Sequence, residues 1–163
     1  MSWLDKVATF FGGHRVEVVA TAVEGRPPEE AFLPVADSVI KGQYEIRFDR
    51  DVEVVAHIAA FYLQKKDDDG TTTRILLAED RHDADNQATS TEATPPYHAR
   101  PGQIVKTSFC IVRVDIDAAL KNLGYAGARD ANRAEFSYFL DLTVDVGGTV
   151  LDAECIVPVR ILL

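Results

Sequence analysis

A chain of 163 residues is long enough to enclose one full hydrophobic core, and its charge of −9, from 17 basic and 26 acidic side chains, disfavours a phosphate backbone as partner. Apolar residues make up 47% of it, which excludes intrinsic disorder for the chain as a whole. No run approaches the roughly 20 apolar residues of a spanning helix, and no signal-type apolar run opens the chain, so a single soluble cytoplasmic domain over residues 1–163 is expected.

In chain order, residues 2–11 carry Trp3, Leu4, Val7, Phe10 and Phe11 at helical spacing, which predicts a short amphipathic helix stopped by Gly12-Gly13. Beyond it the period changes to two. Segment 15–23 reads as a strand. In 39–48, Ile40, Gly42, Tyr44, Ile46 and Phe48 alternate with polar residues, the pattern of a strand wet on one face. Segment 52–65 is apolar on both faces and predicts a central, covered strand. Segment 72–79 follows after the turn Asp67-Asp68-Asp69-Gly70.

Residues 80–103 break the rhythm with acidic, Thr/Ser and Pro-rich stretches, and 81–103 reads as a long flexible loop within the domain. A strand is expected in 104–116 and a short helix over 117–123, with Asp117 as its N-cap and Gly124 as its stop. The alternating runs 135–146 and 149–162, joined through Gly147-Gly148, predict a β-hairpin, with Phe139 the one outward residue out of character. About seven strands with polar turns define an all-β, antiparallel β-sandwich of immunoglobulin-like or arrestin-like type.

Chemistry is sparse. Asp67, Asp68 and Asp69, and then Asp80, Asp83 and Asp85, are the candidate metal ligands, because calcium needs several converging loop oxygens. Neither stretch has the EF-hand spacing, and Asp-Gly is also good turn chemistry. Of His14, His57, His82 and His98, only His82 has acidic neighbours in sequence, and His57 reads as a hydrogen-bonded sheet residue. Cys110 and Cys155 read as small buried hydrophobes. No nucleophile elbow, phosphate loop or dinucleotide glycine motif occurs, so no enzyme is expected and no cofactor is implied.

A strand pattern carries one resemblance. The Met-Ser start, the double glycine, Val39-Ile-Lys-Gly-Gln-Tyr-Glu-Ile46, the long run 52–65, Pro101-Gly-Gln103, Phe136-Ser-Tyr-Phe-Leu-Asp-Leu-Thr-Val144 and the ending Ile161-Leu-Leu163 together resemble the arrestin-like sandwich. The nearest likeness is to the bacterial arrestin-like sporulation-control proteins. The chain departs from that pattern after Phe109, where Ile111–Ile116 and a helical segment follow. The resemblance implies a non-enzymatic scaffold or regulatory protein acting by protein–protein contact or self-association.

Trp3, Leu4, Val7, Phe10 and Phe11 are then the candidate contact residues, since large aromatic anchors dominate interface energetics. Their segment carries no net positive charge, which disfavours a membrane surface. The alternative is a ligand- or calcium-dependent sandwich module for a carbohydrate or lipid headgroup.

Overall fold

The computed structural model describes residues 8–9, 16–34, 38–87, 93–127, 136–148 and 153–162. The strands are β1 (Ala8–Thr9), β2 (Val16–Val23), β3 (Phe32–Pro34), β4 (Ser38–Phe48), β5 (Val52–Lys66), β6 (Thr72–His82), β7 (Tyr97–Ala99), β8 (Ile104–Val114), β9 (Phe136–Val146) and β10 (Ala153–Leu162). Among the described residues one α-helix, α1 (Ile116–Asn122), follows β8.

The strands form two sheets. The larger runs β1-β10-β9-β5-β6, with β3 added to β10 and β7 to β5; the smaller is β2-β4-β8. Every pairing is antiparallel except β3 with β10. The two-faced run of β5 fits its place between β9 and β6, with ladders along both edges. Pro158 falls in the part of β10 between its pairings with β1 and β3, where a missing N–H costs the ladder least.

Alternation sorts the side chains. Val16, Val18, Ile40, Tyr44, Ile46 and Ile111 from the small sheet are buried with Phe61, Leu63, Leu140, Leu142, Val144, Cys155 and Val157 from the large one. Each such aliphatic residue contributes about 1.5–3 kcal/mol by leaving water. Phe139 points to the opposite face of β9, as its sequence position implies, yet is only 6% exposed. It stacks on Tyr62 across the strand pair, with ring centroids 5.4 Å apart, and the Arg74 guanidinium lies 4.9 Å from its ring centre.

Several expectations change. Ala8 and Thr9 are a strand paired with Cys155 and Glu154, not helix, because the free edge of β10 offers a backbone ladder that outweighs local helical periodicity. The rest of 2–11, including Trp3, Leu4, Val7, Phe10 and Phe11, lies outside the described residues. The helix begins at Ile116 and is capped by Asp115, whose Oδ1 accepts the Ala118 N–H at 2.9 Å. Burying Ile116 sets that start. Asp117 sits in the first turn and pairs with Lys121 at 2.7 Å.

Within 81–103, Arg81 and His82 finish β6, and Tyr97–Ala99 pair with Val52–Val54. Cys110 is exposed rather than buried, because Phe109 and Ile111 on either side take the inward positions. β9 and β10 pair antiparallel with Val144 opposite Ala153, and Gly147 N–H donates to the Glu53 carbonyl at 2.9 Å; residues 149–152 of that connection lie outside the description.

Candidate functional site

The acidic residues separate into two groups at opposite ends of β6. In the β5–β6 turn, Asp69 Oδ1 accepts from the Thr71 N–H (2.9 Å) and hydroxyl (2.6 Å), and those bonds hold its carboxyl below the usual range. Asp67 lies 3.5 Å from Lys65 Nζ, and Asp68 is exposed. At the other end, Asp83 Oδ2 accepts from Arg81 Nε at 2.7 Å while Oδ1 accepts the backbone N–H groups of Asp85 and Asn86, both at 3.0 Å. The bond from Arg81 is the chief reason the Asp83 carboxyl titrates low. These are the bonds of tight turns. Among the described residues no three His, Cys, Asp or Glu side chains converge as a metal set.

Asp80 stands apart. Its Oδ2 accepts the backbone N–H of Cys110 at 2.8 Å, and its Oδ1 meets His82 Nε2 at 3.0 Å. Asp80 belongs to β6 of the large sheet and Cys110 to β8 of the small one, so one carboxylate ties the two adjacent sheet edges. The pair borders a cleft of about 560 Å³ lined by Lys41, Gly42, His82, Gln87, Phe109 and Cys110 among others.

Behind it lies a buried polar seam. His57 is 1% exposed, and its Nε2 is 2.8 Å from the Tyr97 hydroxyl, while Nδ1 has no hydrogen-bond partner. Tyr97 reaches it from β7, Tyr44 from β4 with its ring edge-on at 6.3 Å, and His82 is its register partner on β6. Burial first, and the neighbouring His82 second, lower the His57 pKa to about 4. Burial likewise pushes both tyrosine hydroxyls well above their ordinary range. The sequence placed His57 on a strand but gave no sign of Tyr97, 40 residues away, as its partner.

An apolar groove of about 340 Å³ runs between β6 and α1, lined by Leu63, Ile75, Leu76, Leu77, Ala119 and Leu123. Leu76 is 47% and Leu123 42% exposed there. Arg113 borders the same groove with a left-handed backbone (φ 62°), uncommon for a residue with a Cβ. No pattern in the sequence marked this surface, because it is made by α1 folding back against a strand some 40 positions earlier in the chain.

The fold defines an arrestin-like β-sandwich. One solved structure it is similar to is Spo0M, the sporulation control protein from Bacillus subtilis, with a TM-score of 0.58 at 10% identity over 94% of this chain. That match spans 51% of the Spo0M chain, so this chain corresponds to about half of it. At this identity the likeness shows the fold. A β-glucosidase from Listeria innocua in complex with gluconolactone aligns over 91% of this chain and 16% of its own at 12% identity, with a TM-score of 0.38, too low to support any argument. No family model and no curated protein sequence matches the chain. No described helix is long and apolar enough to cross a membrane.

Proposed function

We propose that this chain is a non-enzymatic regulatory or scaffold protein that acts by protein–protein contact on the β6–α1 side. One observation carries the reading: Leu76 and Leu123 stay exposed beside a groove whose floor is apolar, next to β6 at the end of the large sheet. Apolar side chains grouped around a concavity mark interaction surfaces, whereas scattered ones do not. Spo0M is a sporulation control protein, and the shared fold supports a regulatory rather than catalytic role. Trp3, Leu4, Val7, Phe10 and Phe11 are a second proposed contact element, on their residue types alone.

Two changes test this, Leu76→Asp with Leu123→Asp, and deletion of residues 1–12. Quantitative affinity purification should retain one partner set on the unaltered chain and lose it on the variants, at unchanged melting temperature. Sedimentation reads self-association in parallel. A partner set indifferent to both changes overturns the reading.

A ligand-binding role draws on a different observation, the mixed polar cleft at Lys41, His82 and Cys110. Chemical-shift changes confined to that cleft on adding a carbohydrate or headgroup would favour it instead.

A further inference from the structure

We propose that the contact between His57 and Tyr97 is an acid-opened latch that holds β7 on the edge of β5 and releases it when the His57 imidazole takes a second proton.

The geometry carries this. β7 is three residues long and pairs with β5 only through Val52, Glu53 and Val54. So short a strand is marginal by itself. Two side-chain contacts of Tyr97 add to it: the hydroxyl on His57 at 2.8 Å, and the ring edge-on to Phe48 at 6.4 Å. In the neutral imidazole, Nε2–H can donate to Tyr97 and Nδ1 keeps a bare lone pair. Protonation puts an N–H on both nitrogens, and Nδ1–H then has no acceptor in a position sealed from water. The buried cation is relieved if β7 lifts and water enters.

Among the described residues no group accepts a hydrogen bond from Nδ1. Facing His57 are Tyr44 from β4, Tyr97 from β7, and His82 with Asp80 from β6. Both Asp80 oxygens are already engaged, by His82 and by the Cys110 N–H. β9 presents Val144 opposite His57, and β8 presents Thr107 opposite Tyr44; neither bears charge. Asp145 and Arg81, beside these on β9 and β6, take the alternate positions on the far face of the sheet. His82, directly across the ladder, repels a charged His57.

The sign follows. With the ring at about 4 when enclosed and near its ordinary 6.5 when open, the open form binds more protons between those values, so acid favours opening. From pH 7 to pH 5 the opening equilibrium shifts by about twentyfold. Opening leaves Val52 to Val54 with an unpaired edge. The latch therefore couples mild acid to exposure of a strand edge.

Amide hydrogen exchange at pH 7 and pH 5, expressed as protection factors, tests it on the full chain. Those β7 amides that bond to β5, alternate ones in an antiparallel pair, should lose protection by about twentyfold, while β9 and β10 keep theirs. Equal loss in all strands, or none in β7, overturns the latch. His57→Gln should abolish the pH difference, and His82→Gln should leave most of it; the reverse pattern assigns the switch to His82 and overturns the proposal. Should His57→Gln not fold, Tyr97→Phe, at a half-buried position, still decides. It should lower β7 protection about fivefold at pH 7 and spare β9 and β10, and no effect there overturns the latch.

Discussion

Gly42 on β4 lies directly opposite Phe109 on β8, and the phenyl ring fills the space that a Cβ at position 42 would need. A methyl there would stand 2.6 Å from both Phe109 Cε1 and the Ala22 carbonyl oxygen. The ring in turn shields a strand position that has no side chain of its own. Gly42→Ala is expected to destabilise the chain by about 1–3 kcal/mol, read as a lower urea midpoint. Adding Phe109→Leu should recover only part of the loss, because the Ala22 carbonyl belongs to the backbone and cannot swing away.

The two cysteines should separate cleanly. Cys155 is buried, and burial pushes its thiol up to about 11, whereas Cys110 is exposed. At pH 8 an aromatic disulfide reagent should titrate one thiol in the folded protein and two in denaturant. Loss of all rapid reaction in Cys110→Ser checks the assignment; rapid labelling of Cys155 would contradict it.

Asp80→Ala removes the tie between β6 and β8 and leaves the Cys110 N–H without its acceptor. A loss of about 1–2 kcal/mol is expected in chemical denaturation. Asp80→Asn, which keeps an acceptor oxygen, should lose less. Equal effects would mean that the charge rather than the hydrogen bond matters at this seam.

Excess chelator should leave the melting temperature unchanged, since Asp67, Asp69 and Asp83 are engaged in turn hydrogen bonds and side-chain pairs. A large drop would revive calcium at Asp67, Asp68 and Asp69 or at Asp80, Asp83 and Asp85.

Strand identity was legible wherever one face is apolar. Tyr44, Ile46, Leu140 and Leu142 point where their alternation says, and the two-faced β5 is central. Short edge elements were not legible. Ala8–Thr9 and Tyr97–Ala99 become strands only because β10 and β5 offer them edges, a cause that lies far away in sequence. The site residues suffered the same way: His57 and Tyr97, or Asp80 and Cys110, meet through topology and carry no spacing that a linear reading can find. Asp115 does not show as the cap in the sequence because strand periodicity runs through it to Ile116.

The placement of β10 has a consequence for how the chain is made. Ala8 pairs with Cys155 and Phe32 with Arg160, so β1 and β3 find their partner only after every strand between them and β10 has left the ribosome. At roughly 5–20 residues per second that delay is on the order of ten seconds. β5 and β6 are neighbours in sequence and can zip up early, as can β9 and β10 once both have emerged, whereas β1 and β3 wait with open edges. A chain cut short before position 153 should therefore leave β1 and β3 unpaired, prone to clump and to be held by chaperones.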